Sequence, residues 1–218
     1  MTNIEDIYEL SPMQQGMLFH EVHAPEAAAY FEQTTCVLRG PLNRTAFEQA
    51  WQQALDRHPA LRTSFHWTGL EKPVQVVHRA VALPWHVDDW QAVPAQEQEL
   101  RLQAFLEADR QRGFDLAAAP LMRCALMQLA PQAHSFVWSH HHILFDGWSR
   151  AIVLQDVMAA YDLAQRGQPA GRSPQSPAPR RFRDYIAWLQ AQDRSAARRF
   201  WEQRLQEMLD RLNKRAGE

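Results

Sequence analysis

The stretch "LMRCALMQLAPQAHSFVWSHHHILFDGWS", Leu121 to Ser149, decides how this chain must fold. It holds two apolar runs, "LMRCALMQL" and "HSFVWSHHH", joined by the short "APQA". Apolar runs of this length bounded by turn residues read as a pair of strands. A helix should follow Gly147, with Val153, Leu154, Val157, Met158 and Tyr161 on its apolar face. Side chains on a strand alternate between faces, so Phe136, Trp138, His140 and His142 share one face, and Val137, Ser139 and His141 share the other. The three imidazoles therefore form two layers. Asp146 lies past the strand end, where the scaffold holds a group while leaving it open to substrate.

Working outward, "SPMQQGMLFH" opens a helix. Ser11 caps it, Pro12 suits the first helical position, and Gln14 completes a Ser-x-x-Gln capping box. Met13 and Met17 then fall on one face, with Leu18 beside them. "YFEQTTCVLRG" reads as a strand ended by Gly40-Pro41. In "NRTAFEQAWQQALDRH" the apolar residues Phe47, Ala50, Trp51, Ala54 and Leu55 keep helical spacing, and Pro59 stops the pattern. "LRTSFHW" and "PVQVVH" predict two strands joined by "TGLEKP". Pro94 to Arg112 predicts a charged amphipathic helix carrying Leu102, Phe105 and Leu106 and closed by Gly113. "RGQPAGRSPQSPAPR" reads as an exposed linker, and two helices close the chain, over Phe182–Gln192 and from about Ser195. The expected class is α/β, a two-layer sandwich on a mixed sheet.

The totals restrict the function. At 218 residues, 46% hydrophobic and 22% charged, the chain is an ordinary globular one. A formal charge of −2 argues against nucleic acid and against an anionic membrane surface, both of which need a basic excess. No apolar stretch approaches the ~20 residues of a spanning helix, and "MTNIEDIYEL" lacks a signal-peptide pattern, so a cytoplasmic location is the expectation. Cys36 and Cys124 sit in strand-like runs and read as buried free thiols.

Three chemistries compete for the histidine run. Two histidines on one face with a carboxylate can ligate zinc, yet no HExxH or Cys/His ligand set is present, so no metal is expected. Ser139 and Ser149 could serve as nucleophiles, but neither sits in a GxSxG elbow. Any one histidine alone could be a core residue with its hydrogen bonds satisfied.

"HHILFDG", His141 to Gly147, resembles the HHxxxDG signature of nonribosomal peptide synthetase condensation domains, members of the chloramphenicol-acetyltransferase-like superfamily. Three more stretches resemble that family in order and spacing: "SPMQQGMLFH" from Ser11, "RHPALRTSF" from Arg57 and "RFRDYIAWLQ" from Arg181. The resemblance runs from about Ile4 to Leu205. It implies a catalytic role for His142 and a structural one for His141. It also implies that Asp146, followed by Gly147, pairs with Arg62 and stiffens the turn that aims His142. His140 is an extra imidazole expected to pack beneath His142, and Trp148 and Ser149 are expected as supporting neighbours. The opening "YELSPMQQGMLFH" resembles the subclass that accepts a D-configured donor.

The resemblance further implies amide formation. A carrier-bound aminoacyl amine would attack an acyl or peptidyl thioester held on the phosphopantetheine arm of a second carrier protein, with no cofactor bound in the domain itself. Positioning would supply most of the rate, and His142 would orient the amine and take its proton. The backbone N–H of Gly147 is a candidate oxyanion donor. Residues 1–205 read as the N-terminal lobe of such a domain and 206–218 as a terminal helix or tail, with the C-terminal lobe absent and the isolated lobe inactive. Adenylation and epimerisation domains are the implied neighbours. Two other readings stay open: a coenzyme A-dependent acyltransferase of the same superfamily, and a non-catalytic carrier-protein docking module.

Overall fold

The two runs flanking "APQA" are the central strands of a four-stranded sheet in the computed structural model, which describes residues 3–24, 28–167, 180–193 and 195–216. The described elements are β1 (Ile4–Glu9), α1 (Pro12–His23), β2 (Phe31–Arg39), α2 (Arg44–Arg57), a 3-10 turn (Pro59–Arg62), β3 (Thr63–His66), β4 (Val74–His78), β5 (Trp85–Asp89), α3 (Ala95–Arg112), β6 (Met122–Ala130), β7 (Ala133–His141), α4 (Gly147–Gln165), α5 (Phe182–Gln190) and α6 (Ser195–Ala216). One sheet has the order β2-β7-β6-β5 and the other β1-β4-β3. The α/β class and the mixed sheet agree with the sequence. β5 lies parallel to β6, and every other pair is antiparallel. A parallel pair needs a crossover, and α3 supplies it between β5 and β6.

Each face of the larger sheet has its own helices, because alternate residues on β7 point opposite ways. Phe136 and Trp138 meet Phe47 and Trp51 of α2 at ring separations of 4.8–5.3 Å. Val153, Val157 and Tyr161 of α4 join the same core. On the opposite face Val137, Ala125 and Met127 pack with Trp90 and with Leu102, Phe105 and Leu106 of α3. There a buried polar cluster ties helix to sheet. Arg123 of β6 donates from Nε to Asp109 of α3 and from Nη1 to the Gly113 carbonyl at 2.7 Å. Asp109 also accepts from Ser139 Oγ and from Gln33 Nε2.

The expected capping box of α1 is present, Ser11 and Gln14 bonding reciprocally. All five residues expected on the apolar face of α2 are buried. Other expectations need correction. Cys36 is exposed, because β2 is a sheet edge where fewer neighbours cover a side chain, whereas Cys124 on the inner strand β6 is sealed. Burial pushes the Cys124 thiol well up. Met158 is exposed, since the buried line on α4 is Val153, Val157 and Tyr161 and Met158 sits about 100° round from it. Met13 is exposed as well, while Leu18 carries the buried face of α1. Strands β1 and β5 were not foreseen, being short and without clear alternation.

The chain divides into two units, one ending at Phe182 and one beginning at Arg183. Helix α6 and nearly all of α5 make up the second, and α5 carries most of "RFRDYIAWLQ". Of the expected proline-rich linker, residues 168–179 lie outside the described residues.

Candidate active site

Strand β7 delivers the triplet, and the ladder clamps it from both sides. The His141 N–H donates to the Leu121 carbonyl at 3.0 Å, and the His142 N–H donates to the Tyr30 carbonyl at 2.8 Å. His142 therefore stays in register although the strand proper ends at His141. The chain then turns at once, because the Ile143 N–H donates to His141 Nδ1 at 3.1 Å.

The three rings sit in three environments. His140 is sealed, its ring 4.8 Å from that of Trp138 and 4.5 Å from that of Phe145. Burial, then the nearby Arg150 and His142 charges, pushes its pKa down to about 3. His141 is also buried, on the face expected from alternation, and burial lowers it to about 4. Both are neutral at neutral pH. His141 must accept at Nδ1, so its proton is on Nε2, which faces Glu21 at 3.5 Å. That arrangement locks the turn, which suits a structural part. His142 alone is accessible, its side chain about 30% exposed, although its Nδ1 is shut off from solvent. Nδ1 lies 2.9 Å from Glu32 Oε1, off the line of a hydrogen bond. The other oxygen of Glu32 lies 3.5 Å from His140 Nε2.

Asp146 ends the turn by capping α4. Its Oδ1 accepts from the Ser149 backbone N–H at 2.9 Å and from Ser149 Oγ at 2.7 Å, and these bonds hold its carboxyl below the usual range. Gly147 is the first residue of the helix. The expected Asp146–Arg62 pair does not form. The buried Arg62 guanidinium instead meets Glu5 Oε2 of β1 at 2.9 Å and the carbonyls of His78 and Arg79 through Nη1. Local capping has taken the aspartate, and β1 supplies the arginine with a nearer carboxylate. Trp148 does not support the site by packing, because it is 88% exposed. Ser139 points to the α3 face and bonds Asp109, so it is not beside His142.

Two neighbours were not foreseen as site residues. Gln14, buried on α1, donates to the Ile143 carbonyl at 3.2 Å and exchanges amide bonds with Gln75. It props the turn after His142, and its capping-box position was the only sequence signal. Glu32 reaches the histidines because β2 pairs with β7 so that Glu32 stands opposite His140. A single acidic residue in a strand gives no such signal without the register. No group of three or more metal-ligating side chains occurs among the described residues.

The site thus brings together a partly open imidazole at a strand end, an adjoining helix N-terminus and a buried neighbouring histidine. This chain belongs to the condensation-domain family, whose profile matches residues 4–216. It is 42% identical over 203 residues to one of the linear gramicidin synthase proteins of Brevibacillus parabrevis and 47% identical to another. It is also 38% identical to bacitracin synthase 3 from Bacillus licheniformis. These matches cover 93%, 93% and 92% of this chain but only 3%, 4% and 3% of the relatives, so the chain spans a small part of such synthetases. Among solved structures it is similar to the starter condensation domain of rhizomide synthetase RzmA, with a TM-score of 0.69 and 25% identity over 78% of this chain and 42% of that one. The fold is that of condensation domains.

Proposed function

We propose that this chain is the N-terminal lobe of a condensation domain and places His142 where a carrier-borne amine attacks a carrier-borne thioester. The C–N bond forms as the C–S bond breaks, the pantetheine thiolate leaves, and the proton lost by the amine passes through His142. A thioester is already activated, so alignment of the two tethered ends supplies most of the rate, and the imidazole supplies the rest as base and hydrogen-bond partner. The observation that carries this reading is the contrast within the triplet: two histidines are sealed and neutral, and the third is open at the strand end. Donor and acceptor carrier proteins, an adenylation domain and a second lobe are the partners that complete it. The N-terminal motif favours a D-configured donor, delivered by an epimerisation domain upstream. The phosphopantetheine arms belong to the carriers, and the cytoplasm is the proposed location.

A second delivery route has one observation in its favour. A variant of the RzmA starter domain is described in complex with C8-CoA, so an acyl group on coenzyme A is an alternative donor for a lobe of this fold. One assay separates the two. The lobe is completed with a second lobe and offered matched donors on coenzyme A and on a carrier protein, with an aminoacyl carrier as acceptor. Product from the carrier donor, and a fall of about 10²–10⁴-fold in His142→Ala, are expected. An unchanged rate in His142→Ala would remove His142 from the reaction. Product from coenzyme A alone would move the donor assignment, and carrier binding with no turnover would leave a docking module.

A further inference from the structure

We infer that Glu32 is the positioning residue for His142, a carboxylate that holds the proton on Nδ1 and so presents Nε2 as the basic nitrogen to the incoming amine. This rests on the reading of His142 as the base.

The geometry has three parts. A carboxylate can only accept, so a ring nitrogen facing it must carry hydrogen. Nδ1 of His142 faces Glu32 Oε1 at 2.9 Å and is shut off from water, which leaves the carboxylate as its partner. The second oxygen, Oε2, lies 3.5 Å from His140 Nε2, another nitrogen sealed from solvent and without a hydrogen bond. The His140 ring is fully buried and packs against both Trp138 and Phe145, which limits its freedom to turn away. The extra imidazole of the triplet thus stands behind the carboxylate that faces the His142 ring. Finally, Glu32 stands opposite His140 in the β2–β7 register, so the strand pairing itself puts the carboxylate on this face.

The Nδ1–Glu32 contact is close but not in line for a hydrogen bond. Catalytic hydrogen bonds are often poorly aligned without substrate and tighten when it arrives. The neighbouring His141 has the opposite tautomer, with Nδ1 occupied by the Ile143 N–H and its proton on Nε2. Two adjacent histidines are therefore assigned opposite protonation by two different local partners, which makes the claim spectroscopically distinct.

The test uses the ¹⁵N-labelled chain at about pH 8, where an ordinary imidazole is neutral. Two-bond ¹H–¹⁵N spectra read which ring nitrogen of His142 carries hydrogen, in the unmodified chain and in Glu32→Gln and Glu32→Asp. The Nδ1–H form is expected in the unmodified chain, with loss of that preference in Glu32→Gln and its retention in Glu32→Asp. Far-UV circular dichroism checks the fold, and Glu32→Asp keeps the question decidable if the glutamine variant unfolds. In the lobe completed by a second lobe, Glu32→Gln should lower kcat about 10–100-fold, the size of effect that follows when a metal-bound histidine loses its orienting carboxylate. The KM for the acceptor carrier should stay within about threefold, because the role assigned to Glu32 is to orient His142 rather than to bind the carrier. An Nε2–H form in the unmodified chain, an unchanged tautomer in Glu32→Gln, or kcat within about twofold of the parent would each overturn the inference. The His142→Ala variant run alongside separates the two failures. Loss of rate in His142→Ala with none in Glu32→Gln removes only the role of Glu32, whereas no loss in His142→Ala removes the reading beneath it.

Discussion

Protonation of single side chains already has consequences for the folded state. His140 and His141 are held down to about 3 and 4 by burial, against an ordinary histidine value near 6.5. Between those limits the unfolded chain binds more protons than the folded one, so stability is complete above about pH 6.5 and is lost as pH falls toward 4. Urea midpoints at pH 7.5 and pH 5.0 should show that loss. His140→Leu should shrink the difference, because it removes the group with the lower folded value and two buried ring nitrogens that lack hydrogen bonds. An equal pH dependence in the variant would contradict the assignment. His140 was expected to pack beneath His142, and its ring is buried against Trp138 and Phe145. Its pairing with Glu32 was not legible, because the partner lies 108 residues earlier and only strand register brings it there.

Between elements, the arginine and the aspartates decide which pieces hold together. Arg62 fastens β1 to the far end of β4, and Asp146 caps α4, so the two should be energetically independent. A double-mutant cycle should give a coupling below about 0.5 kcal/mol for Arg62 with Asp146. Arg62 with Glu5 should couple more strongly, since they touch. A large Arg62–Asp146 term would restore the pairing that the motif alone suggests. Asp109 is a second case. It is buried and receives Arg123, Ser139 and Gln33, so Asp109→Ala strands a buried cation and should cost about 3–5 kcal/mol by chemical denaturation. A loss under about 1 kcal/mol would mean that water or another residue replaces the carboxylate. Helices with full apolar spacing, such as α2, were readable from local pattern. Strands β1 and β5 were not, since six and five residues with little alternation acquire their structure only from the strands beside them.

At the scale of the molecule, the chain covers 42% of the solved condensation domain it is similar to, and the His142 ring is partly open. The proposal therefore expects no measurable amide formation by this chain alone with loaded donor and acceptor carriers, and restored turnover once a second lobe is supplied. Turnover by the chain alone would show that one lobe suffices. The sequence by itself determined what depends on near neighbours along the chain: the capping box at Ser11, the buried face of α2, the β6–β7 hairpin, the alternation within the histidine run, and the motif order that marks the family. Only the tertiary structure decided what depends on register and on competition between partners. It set Glu32 behind His142, gave Arg62 to Glu5 rather than to Asp146, left Cys36 at an open edge, and made β5 a parallel strand. The physical reason is range. Backbone periodicity and capping act over a few residues and are written locally, whereas a side chain takes whichever partner the packed fold brings nearest.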